Sequence, residues 1–301
     1  MSKAMVNDIR IEYETFGNKN SPALLLIAGL GAQLIYWQKE FCLKLANHGF
    51  YVIRFDNRDT GLSSKIDGLT KNELIEKIGT FFNGQETSVP YSLDDMAYDG
   101  IALLDSLEID KAHIAGKSMG GYIAQTLCLN YQARALSLTS IFSHTGKRNV
   151  FLPTQEVMET MLTPTPEDRE GYVKHMINIF RITFGTGKFF DEDYHRKLAE
   201  RSFDRCFCPE GVIRQYLAIL SQKDRTEALK HLNIPALIIH GDEDPLVPLT
   251  GGEATAQAIP NAKMKIIKGM GHVMPNLETY WSDILNEMVN HMIPKKKRVT
   301  G

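Results

Sequence analysis

The chain is poor in the features that mark specialised protein classes. Its 301 residues hold four cysteines, Cys42, Cys128, Cys206 and Cys208. These make no C-x-x-C pair and no zinc-ligand spacing, and Cys206 and Cys208 stand too close in sequence for a relaxed mutual bridge. A disulfide scaffold and a metal centre are both set aside, and free thiols point to a reducing compartment. An excess of one charge is also missing, since 34 basic and 36 acidic residues leave a net charge of -2. Such a balance gives nucleic acid no electrostatic footprint to meet. No apolar run is long enough to span a bilayer, and the amino-terminal MSKAMVNDIR lacks the apolar stretch of a secretory signal. The expectation is a cytoplasmic protein with no nucleic-acid partner and no stable membrane association.

What the chain does have is a rhythm. Ile9 to Phe16 alternates apolar and polar residues, as a half-exposed antiparallel strand does. Ala23 to Ala28 is a continuous apolar run that suits a strand buried on both faces, Tyr51 to Phe55 and Ala236 to His240 are further apolar strands, and Leu136 to Phe142 and Ala262 to Ile267 read as strands as well. Helical patterns separate them. One runs from Trp37 to His48, where Gly49 stops it; another opens at a Ser92–Asp95 capping box and continues to about Leu107. Met119 to Tyr131 and about Leu277 to Met292 read the same way, whereas Lys65 to Pro90 is irregular. Strands alternating with helices predict an α/β fold, a mostly parallel sheet flanked by helices.

From residue 144 to 233 the rhythm breaks. This stretch is helical in pattern and rich in methionine and aromatics, Met158, Tyr172, Phe180, Phe184, Phe189, Phe190 and Tyr216 among them. Most of these are expected to form the core of an insertion, with one face roofing an apolar pocket. The division that follows is a core of residues 1–143 and 234–293, a helical cap of 144–233 inserted after the sixth strand, and a basic tail of 294–301. The tail's PKKKRV resembles a nuclear import signal, but a solvated, disordered end is the expectation.

Function is sought first in AHIAGKSMGGYIA, from Ala112 to Ala124. A short apolar run stops at Gly116, Ser118 follows, and a helix pattern begins. Gly116 and Gly120 allow a sharp turn in which side chains would collide, and the helix start behind the serine favours negative charge developing beside it. G-K-S-M-G is thus a nucleophile elbow, a weak pattern until a base, an acid and an oxyanion site accompany it. The loop Gly29-Leu30-Gly31-Ala32 admits two readings. It is a dinucleotide fingerprint lacking its third glycine, with Asp56 as the ribose-binding acid, or it offers the Leu30 amide to an oxyanion. The missing glycine weakens the first and the elbow supports the second. The charged loop from Asp56 to Ser63 reads as structural, with Asp56 and Arg58 tying loops together.

After Ala236 to His240 comes G-D-E-D-P, where Asp244 is the candidate acid and Asp242 and Glu243 are its rivals. After the last strand, His272 lies in the glycine-bounded G-M-G-H loop; the other histidines read as packing or surface residues. Ser118, Asp244 and His272 occur in the order serine, acid, histidine, each at the end of an expected parallel strand.

These motifs, with A-L-L-L-I-A-G-L-G at Ala23, the Trp37 and Phe41 region, and V-I-R-F-D-N-R-D-T-G-L-S at Val52, resemble the α/β-hydrolase superfamily from about Asp8 to Met292. Within it the chain is similar to the aclacinomycin methylesterase group, although R-D-T-G stands where most relatives have R-G-x-G. The resemblance implies Ser118 as nucleophile, His272 as base and Asp244 as its partner. It also implies the amides of Leu30 and Met119 as the oxyanion hole, substrate contacts at Gly29 and Trp37, and no metal or organic cofactor. The expected activity is hydrolysis of a small-molecule carboxylic ester with hydrophobic bulk, through an acyl-enzyme. Cofactor-free haloperoxidases and C–C hydrolases share such a triad, and a hydrolase fold kept as a ligand receptor or scaffold is the non-enzymatic alternative.

Overall fold

The computed structural model describes residues 1–147, 150–186, 190–272 and 280–293. Its centre is an 8-stranded sheet in the order β1-β2-β4-β3-β5-β6-β7-β8. Strands β1 (Ser2–Val6), β2 (Ile9–Phe16) and β3 (Ala23–Ile27) precede α1 (Lys39–Asn47) and β4 (Tyr51–Phe55). Helices α2 (Lys71–Phe82) and α3 (Leu93–Ser106) follow, then β5 (Ala112–Lys117), α4 (Met119–Asn130) and β6 (Ala135–Ile141). Between β6 and the next strand run α5 (Gln155–Leu162), α6 (Arg169–Thr183), α7 (Glu192–Arg205), α8 (Pro209–Leu220) and α9 (Thr226–Leu229). The chain closes with β7 (Ala236–Gly241), α10 (Leu249–Ala258), β8 (Lys263–Ile267) and α11 (Trp281–Met292).

β1 and β2 pair antiparallel, as do β2 and β4; from β4 through β8 every pairing is parallel. Every residue of β3 and β4 is buried because helices cover both faces of the sheet. One core packs Leu25, Ile27 and Ile114 against Met96, Ile101 and Leu104 of α3 and Ile123 and Leu127 of α4. The opposite core packs Leu24, Leu26 and Ile239 against Phe41 and Leu45 of α1 and Trp281, Ile284 and Met288 of α11. Burial of each such side chain contributes about 1.5–3 kcal/mol, which anchors the central strands between the two helical layers.

Several elements depart from the sequence reading. β1 is an edge strand with mostly exposed residues, so it carries no hydrophobic pattern. The stretch read as irregular contains α2, opened by a Thr70–Glu73 capping box; its buried residue is Leu74, too little for an apolar stripe. α1 starts at Lys39 because Leu34–Tyr36 forms a 3-10 turn and Trp37 is extended, at φ -88° and ψ 94°. The capping box at Ser92 is present and α3 follows it. Phe189, Leu277 and the basic run 294–301 lie outside the described residues.

Within the α5–α9 segment, Val173, Ile177, Phe180 and Ala199 form a cluster of their own, joined by Tyr172, Met176 and Phe190. The loop after β4 fastens this segment to the sheet, as the sequence suggested for Asp56 and Arg58. Arg205 of α7 meets Asp56 at 2.7 Å, Arg214 of α8 meets Asp59 at 2.7 Å, and Arg58 pairs with Asp99 of α3 at 2.7 Å. All of these carboxylates are buried, and breaking such a pair by removing one partner costs about 3–5 kcal/mol.

Candidate active site

β5 runs straight into α4, leaving Ser118 alone at the turn with φ 55° and ψ -125°. Few L residues hold that backbone conformation, which costs on the order of 1–3 kcal/mol and persists only where the surroundings enforce it. Here they do. A Cβ on Gly116 would lie 1.9 Å from the Gly120 carbonyl oxygen, and one on Gly120 would lie 2.2 Å from that of Ile27. Strand and helix can pack this closely only with glycine at both positions. The Ser118 N–H donates to the Ile141 carbonyl at 3.0 Å, and its own carbonyl accepts from Gly121 at 2.8 Å. The hydroxyl is therefore presented at the carboxyl end of the sheet, beside the first turn of α4.

The loops after β7 and β8 meet the serine there. His272 Nε2 lies 2.8 Å from Ser118 Oγ, and His272 Nδ1 lies 2.7 Å from Asp244 Oδ2. The other carboxylate oxygen of Asp244 accepts from Leu246 and Val247 N–H at 2.9 and 2.8 Å. With Asp244 ionised and buried, Nδ1 must carry the proton it donates, which leaves Nε2 as acceptor for the serine hydroxyl. The Phe142 ring packs on the imidazole with centroids 4.6 Å apart. His272 and Gly271 N–H donate to the carbonyls of Thr183 and Phe184, where α6 ends, at 2.6 and 2.9 Å.

The rivals of Asp244 are occupied elsewhere. Asp242 accepts from Gly269 N–H at 2.7 Å and Glu243 from Thr186 N–H at 2.6 Å, so both brace loops and neither is the histidine's partner. Leu30 and Met119 flank the serine's turn. Gly29 O accepts from Ala32 N–H at 3.2 Å, closing a four-residue turn with Gly31 at φ +63°. Among the described residues no hydrogen bond uses the N–H of Leu30 or of Met119. Gly29 adjoins the nucleophile, since a Cβ there would stand 3.7 Å from Ser118 Oγ.

Trp37 is a correction. Expected at the substrate, it is instead fully buried, stacked on Phe41 at 5.8 Å and tilted against Trp281 at 6.4 Å. Its closeness in sequence to the Leu30 loop concealed that the intervening 3-10 turn carries the ring into the core.

Other residues of the site escaped the sequence reading. Lys117, next to the serine, turns the opposite way, as strand alternation requires. Its Nζ donates to the Tyr36 carbonyl at 2.9 Å and lies 4.9 Å from the Trp37 ring centroid. Burial pushes this ammonium group down to about 7. His240 is buried, which lowers its pKa and keeps it neutral. Its Nε2 lies 2.8 Å from the Val247 carbonyl and 3.6 Å from Asp244 Oδ2, so it braces the turn that aims the acid. The motif H-G-D-E-D held that signal, one helical turn's spacing before Asp244.

Among the described residues no group of three or more His, Cys, Asp or Glu side chains is placed to hold a metal ion. The family described as alpha/beta hydrolase fold matches residues 22–275. A rhodomycin D methylesterase of Streptomyces peucetius is 28% identical, over 91% of this chain and 93% of its own. A 2-hydroxy-6-oxononadienedioate/2-hydroxy-6-oxononatrienedioate hydrolase of Burkholderia vietnamiensis is 27% identical, over 88% of this chain and 85% of its own. Among solved structures, the enol-lactonase of Burkholderia xenovorans superposes with a TM-score of 0.73 at 21% identity, covering 97% of this chain and 99% of that one.

Proposed function

This chain belongs to the alpha/beta hydrolase fold family, and from that premise we propose that it is a serine hydrolase cleaving a carboxylic ester through an acyl-enzyme. The observation that carries the reading is the continuous chain Ser118 Oγ, His272, Asp244, at 2.8 and 2.7 Å. A serine hydroxyl is a poor nucleophile at neutral pH, so His272 Nε2 takes its proton as Oγ attacks the ester carbonyl. Asp244 holds the imidazole in the tautomer that accepts at Nε2 and stabilises the imidazolium that forms. The carbonyl oxygen, now negative, is bound by the Leu30 and Met119 amides; one such donor is worth about 2.7–4 kcal/mol in a serine protease. His272 returns its proton to the leaving alcohol. Water, deprotonated by the same nitrogen, then releases the acid.

The methylesterase relative supports an ester as substrate. The bonds from Gly271 and His272 N–H to the end of α6 support the α5–α9 segment acting as a cap over the site, and the segment's aromatic-rich sequence supports hydrophobic bulk in that ester. Free thiols at all four cysteines suit a reducing, cytoplasmic setting. A second reading, C–C bond hydrolysis, is favoured by the similarity to the oxononadienedioate hydrolase.

Turnover of p-nitrophenyl esters from acetate to decanoate by wild type and Ser118→Ala tests the proposal. Hydrolysis lost in the variant, with a maximum at longer acyl chains, is expected. A folded wild type that neither hydrolyses any ester nor reacts with a fluorophosphonate at Ser118 overturns it. Labelling without ester turnover, accompanied by cleavage of a vinylogous 1,5-diketone, would transfer the assignment to the C–C reaction.

A further inference from the structure

We propose that Gln215, on α8, is a positioning residue that holds the oxyanion turn in its working orientation. The inference rests on the reading above that the Leu30 amide receives the oxyanion. Gln215 is fully buried and reaches into the turn from a helix 184 residues away in sequence. Its Oε1 accepts from Gly31 N–H at 2.8 Å. Its Nε2 donates to the Arg58 carbonyl at 2.8 Å and to Thr60 Oγ1 at 2.6 Å. Gly31 N–H can only donate and the Arg58 carbonyl can only accept, so the partners themselves fix which end of the amide is which.

The consequence lies in the peptide planes. Within one peptide the carbonyl and the following N–H point in opposite directions. Because Gly29 O is tied inward by Ala32 N–H, the Leu30 N–H faces outward from the turn. The next peptide, Leu30–Gly31, carries the Leu30 carbonyl and not the oxyanion donor, but it is the hinge on which the turn bearing the Leu30 amide can shift, and it is the soft point. Gly31 sits at φ +63°, and glycine accepts both signs of φ, so this peptide can flip at little cost unless something holds its N–H. Gln215 holds it. Anchors exist on either side of this point, at Ala28 O through Asn57 Nδ2 at 3.1 Å and at Leu34 N–H through Asp56 at 2.7 Å. Neither touches the Leu30–Gly31 plane. The grip is firm because α8 is itself fixed. Arg214 makes a two-pronged contact with Asp59 at 2.9 and 2.7 Å, and a Cβ on Gly211 would lie 2.2 Å from the Asp59 carbonyl oxygen.

The test compares wild type, Gln215→Met and Gln215→Glu in ester kinetics and in inhibition by an alkyl trifluoromethyl ketone. In that adduct Ser118 Oγ bonds to the carbonyl carbon, His272 takes the serine proton, and the former carbonyl oxygen becomes the oxyanion. Gln215→Met has no acceptor for Gly31 N–H. Its kcat/KM and its ketone affinity should fall together, by about tenfold or more, with KM changed less than about twofold. Gln215→Glu keeps an acceptor for Gly31 N–H and, as the neutral acid that burial favours, donates its O–H to the Arg58 carbonyl while the Thr60 hydroxyl donates to it, so it should stay within about threefold of wild type in ketone affinity. A folded Gln215→Met with wild-type ketone affinity overturns the proposal, as does an equal loss in both variants. If Gln215→Met does not fold, Gln215→Glu decides alone, and a tenfold loss there refutes the role. A wild type that hydrolyses no ester and binds no ketone removes the serine-hydrolase reading and this inference with it. A wild type inactivated by Ser118→Ala, with an unaffected Gln215→Met, removes only the inference.

Discussion

Asp244→Asn exchanges one carboxylate oxygen for an NH2 group, and the surroundings decide which one. Asp244 Oδ1 accepts two main-chain N–H groups, from Leu246 and Val247, and Oδ2 accepts one ring N–H from His272. Placing the new NH2 toward the main chain leaves both of those buried donors without an acceptor, at about 1–3 kcal/mol each. Placing it toward His272 costs only a change of imidazole tautomer. The amide should therefore face the histidine, Nδ1 become the acceptor and Nε2 carry the proton. Nε2 would then donate toward Ser118 Oγ, and the base would be gone with hardly an atom displaced. The same exchange in a serine protease lowers kcat by about 10⁴-fold, which corresponds to about 5.4 kcal/mol of barrier. Steady-state hydrolysis of p-nitrophenyl butyrate near pH 8, with the melting temperature measured alongside, reads the effect. A melting temperature close to wild type with kcat down by three to four orders of magnitude is expected, on the order of the protease result. Asp242→Asn and Glu243→Gln, each keeping an amide oxygen for its one exposed loop N–H, should stay within roughly threefold. A folded Asp244→Asn that retains a tenth of wild-type kcat would falsify the assignment of the acid.

Lys117 gives the chain a pH-dependent weakness. An unfolded lysine titrates near about 10.4, whereas in the fold the group is pushed down to about 7. Between those values the unfolded chain binds more protons, so stability rises with pH; below about 7 the penalty is fully present and flat. Lys117→Met should be the more stable protein in urea at pH 6, with the advantage shrinking towards pH 10; parallel curves would refute this. Gly120→Ala puts a Cβ 2.2 Å from Ile27 O and 2.7 Å from Ala28 O, both backbone atoms. It should lose about 1–3 kcal/mol of stability and much of kcat, measured by denaturant titration and ester turnover; wild-type values for both would contradict the packing argument. Trp37→Ala opens a core cavity, so a stability loss of about 3–5 kcal/mol with unchanged KM is expected in any folded fraction. A specific rise in KM would restore Trp37 to the substrate.

The parts of the fold legible in sequence were those whose local chemistry is self-sufficient. Buried parallel strands announce themselves as apolar runs, and Gly116 and Gly120 around Ser118 mark a turn that few other residues tolerate. The order of Ser118, Asp244 and His272 needed only strand ends, and the hydrogen-bonded chain joins those residues. What stayed hidden depends on distant partners or on direction. Trp37 was misread because sequence position near the Leu30 loop says nothing of which way a ring turns. The T-K-N-E at Thr70 carried the capping box of α2, but a helix with one buried position has no stripe to read. Gln215 is a helix residue like many others until the fold brings α8 against Gly31.

The bonds from His272 and Gly271 N–H to the carbonyls of Thr183, the last residue of α6, and of Phe184 just after it have a bearing on how this protein could be re-engineered or diverge. A Cβ on Gly271 would stand 2.2 Å from Thr183 O, so the two backbones are fitted to one another with no side chain to adjust. Swapping the α5–α9 segment for that of a relative would therefore transplant part of the histidine's mounting together with the cap proposed above. The natural unit of exchange is the segment plus the loop 269–272. A chimaera cut without that loop should lose turnover on every ester tried, including those the donor itself accepts.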